Sequence, residues 1–194
     1  MTDNTEDAWK EEVFKCIVHE ISICRNCELH KSRTHTVAGE GNLNTKLMLV
    51  GEGPGYNEDK QGRPFVGEAG KVLSDLLSTI GLIREDVFIT NAVKCRPPGN
   101  RTPSISEIMS CKPYLISQIA LIEPKFILIL GNAALVSLLG GGFSISKVRG
   151  RPKEQDGIIY LPTYHPAAAL YRREIMDIIK EDFNLLKSLM NGGE

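Results

Sequence analysis

The chain has 194 residues, enough for one domain at about 100–200 residues per domain and enough to bury a core without staples. Hydrophobic residues make up 42% and charged residues 24%, which places it among soluble globular proteins rather than disordered or fibrous ones. Lys and Arg number 23 against 24 Asp and Glu, so the net charge of −1 excludes a globally basic nucleic-acid coat but leaves room for a local basic groove.

Residues 1–20 read as a helix. Asn4 or Thr5 is placed to cap it, Glu6 and Asp7 suit its positive end, and Trp9, Val13 and Ile17 share a face. A turn with Cys24 and Cys27 follows, then a polar loop. Lys46 to Val50 is a short apolar run ending at Gly51, read as a buried strand, and the long loop GEGPGYNEDKQGRPFVG leaves it. Ala69 to Ile80 has helical period through Val72, Leu73, Leu76, Leu77 and Ile80, and Gly81 ends it. Val87 to Thr90 is a second strand, followed by TNAVKCRPPGNRTP. Ser104 or Ser106 can cap a helix running to about Ile122. Phe126 to Leu130 is a third strand, and Asn132 to Leu139 a helix stopped by glycines 140–142. Ile158 to Leu161 is a fourth strand, then PTYHP, then one helix from Pro166 to Met190.

Apolar strands alternating with helices predict an α/β fold, a parallel sheet of four strands covered on both faces. Ligands of such sheets bind beyond the C-terminal strand ends. The unusual loops begin at three of them, Gly51, Asn91 and Pro162, and form the candidate site. No apolar run approaches the ~20 residues of a membrane span. The acidic start MTDNTEDAWKEE is no signal peptide, so a cytoplasmic location with reduced thiols is expected.

Five cysteines argue against a closed disulfide framework. Cys24 and Cys27 form a C-x2-C clamp, while Cys95 on a loop and Cys111 on a helix stand far apart. Four thiolates complete a tetrahedral metal site or hold an iron–sulfur cluster. The spread second half suits the larger group somewhat better, but spacing does not decide. Cys16 is the odd one out and is expected as a buried thiol.

GEGPG after a strand is a poor nucleotide fingerprint, because the helix does not open at once and no G-K-[ST] follows. The loop instead offers Glu52, Glu58 and Asp59 as acids, Phe65 as an apolar plate, and glycines that let a ligand approach the backbone. A solvated acidic loop is the plainer account of Glu58 and Asp59. Asn91 is either a turn residue or a reader of a base edge, and His165 is structural or functional with equal claim. Lys94, Arg96, Arg101, Lys147, Arg149, Arg151, Lys153, Arg172 and Arg173 make a phosphate-binding rim if their loops converge, and scattered solvated charges otherwise.

Taken together, C-x2-C, the two long loops, the later Cys111 and HPAAALYR resemble the iron–sulfur uracil-DNA glycosylases, family 4 of their superfamily, from Cys24 to the last helix. The resemblance implies a single domain over residues 1–194, a three-layer α/β/α sandwich around a four-stranded parallel sheet. It implies a [4Fe–4S] cluster on Cys24, Cys27, Cys95 and Cys111 that takes no part in the chemistry. The reaction would be monofunctional hydrolysis of the uracil N1–C1′ bond in single- or double-stranded DNA, leaving an abasic site. Phe65 would stack on the flipped base, Asn91 would pair with its polar edge, and His165 would donate to O2 and steady the leaving anion. Gly53 N–H and Glu52 would line the pocket, and Glu58 would position water or steady the sugar cation. The segment Ala167 to Arg172, with Ala168 in it, would enter the minor groove and fill the gap left by the base, with Leu170 as wedge, and Arg96 and Arg172 would meet the backbone.

The best-known branch carries G-Q-D-P-Y-H, where the Asp orients water and the Tyr excludes the thymine methyl. Here Gly53 and Gly55 hold those positions, so the first task would fall to Glu58 and the second to Glu52 or another group. A monomer is expected. A sliding clamp would be a fitting partner for a repair enzyme, although the chain shows no convincing clamp-binding box. The alternative from another class is a metal-stapled nucleic-acid-binding protein without catalysis, which needs only the cysteines and the basic rim. A redox module is a third reading, and it has no need of the His-Pro and Glu-bearing loops.

Overall fold

A computed structural model describes residues 3–192. Six strands form one sheet: β1 (Glu40–Gly41), β2 (Leu47–Gly51), β3 (Phe88–Asn91), β4 (Phe126–Leu130), β5 (Lys153–Gln155) and β6 (Ile158–Thr163), in the order β1-β3-β2-β4-β6-β5. The four central strands are parallel and match the apolar runs of the sequence. The sheet is wider than expected because β1 and β5 pair antiparallel at its two edges. Both are short and largely exposed, so no apolar run marks them.

Successive residues of a strand face opposite sides, and both sides are covered. Leu49, Ile89, Leu128 and Leu161 meet Leu73 and Leu77 of α3 (Glu68–Thr79) and Ile179 and Phe183 of α8 (Arg173–Asn191). On the other face Met48, Val50, Ile127 and Ile129 meet Leu115 and Ile122 of α4 (Ile105–Ile122) and Leu135 of α5 (Asn132–Leu139). Burying one such side chain contributes about 1.5–3 kcal/mol, so these two layers hold the sheet. Ser104 caps α4, accepting from Glu107 N while Glu107 accepts from Ser104 N, a capping box. Among the described residues no helix is long and apolar enough to cross a membrane.

Several local expectations change. The helix α1 (Asp3–Ile23) includes Asn4 and Thr5 in its first turn rather than capping with them, and their side chains lie outside the described residues. Its packed stripe runs through Lys10, Phe14 and Ile21, with Phe14 edge-on to Phe88 at 5.5 Å. Trp9 points away and is 58% exposed, and Cys16 is exposed rather than buried. The loop after β2 contains a short helix, α2 (Tyr56–Gln61), closed by Gly62 at φ 69°. A further turn, α6 (Ile145–Val148), precedes β5. The final helix is two: α7 (Pro166–Ala169) and α8, separated at Leu170, Tyr171 and Arg172. His165, two residues past β6, caps α7, and Arg172 is extended (φ −143°, ψ 107°) before α8, which packs Ile179 and Phe183 on the sheet.

The last residue of β6 is pinned from α8. Asp182, 1% exposed, accepts from Thr163 Oγ1 at 2.6 Å and from the Arg149 guanidinium, with Nε at 3.1 Å. Asp182→Ala should therefore lower the unfolding free energy by roughly 3 kcal/mol, because it leaves the Thr163 hydroxyl without its acceptor and the half-buried Arg149 guanidinium with only the exposed Glu181 at 3.7 Å. Urea unfolding of the two proteins measures the difference. A loss under 1 kcal/mol would mean that this ion pair holds nothing.

Candidate active site

Three loops leave the C-terminal ends of β2, β3 and β6 and enclose one cavity of about 270 Å³, a volume for one small ring system. Glu52, Gly53, Glu58, Phe65, Asn91 and His165 all line it. The first two loops are zipped together just past the strands, where Ala92 N donates to Gly51 O at 2.8 Å and Val93 N to Glu52 O at 3.2 Å.

Asn91 ends β3 opposite Gly51 and is 2% exposed. Its Oδ1 is buried without a hydrogen-bond partner. A Cβ on Gly51 would collide with that oxygen and with the Phe65 ring, so only glycine leaves room for both. Beneath Asn91 lies Lys94, wholly buried. Its Nζ donates to Asn91 O at 2.9 Å, to Thr90 Oγ1 at 2.6 Å and to Gln118 Oε1 at 2.7 Å. Burial pulls this lysine down to about 8.

Phe65 and His165 stack at 5.4 Å between centroids and 20° between planes. Contacting planes are about 3.5–4.0 Å apart, so much of that separation is lateral offset. The backbone N–H of Ala167 donates to His165 Nδ1 at 3.2 Å. Nδ1 is therefore unprotonated, and the neutral ring carries its proton on Nε2. Burial lowers the His165 pKa, with Glu52 and Glu58 opposing.

The two glutamates are held by backbone donors. Glu58 Oε1 accepts from Val66 N and Gly67 N, both at 2.9 Å, and its Oε2 lies where a side chain on Gly55 would stand. Glu52 Oε1 accepts from Ala133 N at 3.1 Å in the first turn of α5 and lies against Gly131, whose φ is 96°. Gly53 packs on Val93 so closely that a Cβ would meet Cγ2 at 2.7 Å.

The expected basic rim is thinner than the sequence suggested. Arg101 is paired with Glu107, Arg149 with Asp182, and Lys94 is in the core. Lys147, Arg151, Lys153, Arg172 and Arg173 are exposed. Arg96 donates to Asn100 Oδ1 at 2.7 Å and lies over the Tyr56 ring at 5.0 Å, and Lys60 lies over that ring at 4.7 Å. Ala168 is half-buried in α7. Leu170 is exposed in the break before α8, and beside it Tyr171 is 87% exposed. Tyr171 lies within the segment expected to enter the groove but had no role of its own, and Tyr56 and the pocket-lining Pro97 and Asn100 had no site role. The interleaving of aromatic and basic residues was the signal available.

Cys24, Cys27, Cys95 and Cys111 border a second, smaller cavity, and none is in a disulfide. Asn26 N donates to Cys24 Sγ at 3.5 Å, Lys94 N to Cys111 Sγ at 3.3 Å and Arg33 Nη1 to Cys95 Sγ at 3.2 Å. Burial raises the Cys27, Cys95 and Cys111 thiols, Cys111 to about 11. Among the described residues no three metal-binding side chains close on a single ion. The donor set is four sulfurs around a space, with backbone and guanidinium N–H groups placed to soften thiolate charge.

One consequence is measurable in the free protein. The lowered pKa means that His165 takes up its proton only below the ordinary value of about 6.5. Long-range ¹⁵N–¹H spectra at pH 6.5 should show a neutral ring protonated at Nε2. An imidazolium at that pH, or the Nδ1–H tautomer, would contradict the hydrogen bond from Ala167.

Residues 38–186 match the family model described as the uracil DNA glycosylase superfamily. The chain is 50% identical over 183 residues to a type-4 uracil-DNA glycosylase of Sulfurisphaera tokodaii, covering 89% of this chain and 83% of the relative. It is 46% identical to the type-4 enzyme of Thermotoga maritima, covering 93% and 96%, and 44% identical to that of Archaeoglobus fulgidus, covering 89% and 91%. With a family match over most of its length and relatives this similar over most of both chains, the chain belongs to the uracil DNA glycosylase superfamily.

Proposed function

We propose that the chain is a monofunctional uracil-DNA glycosylase acting as a monomer in the cytoplasm, with DNA as its substrate. The observation that carries this reading is the buried, unpartnered Oδ1 of Asn91 in the same cavity as the Phe65 ring and the Nε2–H of His165. A flipped uracil presents N3–H and O4 on one edge and O2 on the other. N3–H supplies the donor that Oδ1 lacks, and Asn91 Nδ2 donates to O4. Cytosine offers an acceptor at N3 and a donor at N4, so both contacts would be mismatched, a difference of roughly 1–3 kcal/mol.

The offset stack gives His165 its role. A base laid on the Phe65 face beside the imidazole lies near the plane of that ring, and Nε2–H then donates in-plane to O2. As the N1–C1′ bond breaks, its electron pair moves onto uracil and charge gathers at O2, where a neutral donor in a water-poor pocket stabilises it. Water adds to C1′, and the proton it releases ends on the departing uracil anion, so the products are neutral uracil and an abasic sugar. Glu58, fixed through Oε1, keeps Oε2 for that water or for the sugar cation. Glu52 and the Gly53 N–H complete the wall. Leu170 in the α7–α8 break, with Ala168 behind it, fills the space left by the base, and Arg96 and Arg172 bind phosphates.

The cysteine donor set suits a [4Fe–4S] cluster on Cys24, Cys27, Cys95 and Cys111, which when bound supplies a structural tie and no chemistry of the reaction. Those residues join the turn after α1 to the loop after β3 and to α4.

An oligonucleotide with a single uracil tests the activity. Cleavage at that position only after alkali is the expected result. No cleavage, by protein that retains iron and sulfide, would leave a binding protein without catalysis. Asn91→Ala should lower kcat/KM about 5- to 150-fold, the equivalent of 1–3 kcal/mol, with affinity for uracil-free DNA little changed. Full activity of that variant would overturn the pocket assignment. Cys111→Ser should abolish the brown chromophore and the iron content together, whereas one tightly held zinc in the wild type would contradict the cluster.

A further inference from the structure

Phe65 sits in a backbone conformation that a bulky side chain avoids. Its φ is +51°, in the left-handed region, where Cβ crowds the following carbonyl. Such a residue persists only where its surroundings over-determine it. Here the surroundings can be named. Arg84 Nη1 donates to Phe65 O at 3.1 Å, and Arg84 Nη2 donates to Pro64 O at 2.8 Å. On the other side Glu58 Oε1 accepts from Val66 N at 2.9 Å. The Phe65–Val66 peptide is thus gripped at its oxygen by a guanidinium and at its N–H by a carboxylate. The first turn of α3 closes over it, since a Cβ on Gly70 would run into the Phe65 carbonyl.

We infer that Arg84 is the positioning residue of the base platform, holding the Phe65 ring in the pocket by locking the Phe65–Val66 peptide; this rests on the reading of Phe65 as the plate on which uracil stacks. The side chain of Arg84 is 21% exposed, and its charge is answered by Glu40 Oε1 at 3.0 Å. Glu40 is held in turn by Arg63, at 2.7 Å from Nε and 3.0 Å from Nη2. A guanidinium already committed to two carbonyls and a carboxylate has no fork left for a DNA phosphate. Its effect on catalysis therefore passes through Phe65. Lysine cannot replace it, because one ammonium does not span two carbonyls and a carboxylate in a fixed plane.

A double-mutant cycle tests this. Phe65→Ala, Arg84→Met and the double variant are compared by kcat and KM on a uracil-containing single strand, by binding to the same strand without uracil, and by melting temperature. Phe65→Ala should lower kcat/KM at least tenfold. Arg84→Met should produce most of that loss, and the double variant should be no worse than Phe65→Ala alone. Binding to the uracil-free strand should be unchanged by Arg84→Met. Arg84→Lys should recover little. Glu40→Gln, which loosens Arg84 from outside the pocket, should give a smaller loss that vanishes in the Phe65→Ala background, and it serves if Arg84→Met does not fold. Losses that multiply in the double variant, or weakened binding of uracil-free DNA, would overturn the inference, because Arg84 would then act by its own contact. Wild-type activity of Phe65→Ala would instead remove the platform reading itself.

Discussion

The side-chain oxygen of Asn91 is buried and unanswered among the described residues, and an acceptor in that state costs about 1–3 kcal/mol. Much of the site is what it takes to keep it so. The parallel pairing of β2 and β3 brings Asn91 level with Gly51, where any side chain would fill the space. Lys94 takes the backbone oxygen of Asn91, the Thr90 hydroxyl and the Gln118 amide oxygen, so the strand end cannot turn to satisfy itself. A ligand with a donor at the right place removes the penalty that folding left. Local strain of this kind collects at functional sites because the rest of the fold holds it in place.

The segment Asn91–Pro97 ties the two cavities together. Asn91 and Pro97 line the larger one, Cys95 borders the smaller, and Lys94 reaches both: its Nζ holds Asn91 and its backbone N–H donates to Cys111 Sγ. A cluster bound by Cys24, Cys27, Cys95 and Cys111 would therefore brace the strand end that carries Asn91 without touching it. The same economy appears at Glu58, whose carboxylate holds the loop of Phe65 with one oxygen and leaves the other at the cavity.

The four central strands and the helices over them were legible because continuous apolar runs alternate with periodic stripes, and both are local signals. So was the set of residues around the cavity, since the three loops follow strand ends and carry acids, an aromatic, an asparagine and a histidine. Other features depend on partners distant in sequence. The edge strands β1 and β5 have no pattern of their own. The break at Leu170–Arg172 falls at no glycine or proline, and only the extended Arg172 marks it. Arg101 and Arg149 look like free phosphate ligands until Glu107 and Asp182 arrive beside them. Trp9 and Cys16 show the reverse error: residue type argued for burial, and the face of α1 that packs lies elsewhere. The left-handed Phe65 and the arginine that holds it have no sequence signature at all.

In the proposed function Asn91 Oδ1 awaits the N3–H of uracil. Free uracil and 3-methyluracil differ at that hydrogen and one methyl group, and both can be tested as competitive inhibitors of uracil release. Uracil should inhibit at least about tenfold more strongly, the equivalent of 1.4 kcal/mol for one unmade hydrogen bond to a buried acceptor. In Asn91→Ala that difference should collapse, which is the signature of this contact. Equal inhibition by the two compounds in the wild-type protein would contradict it.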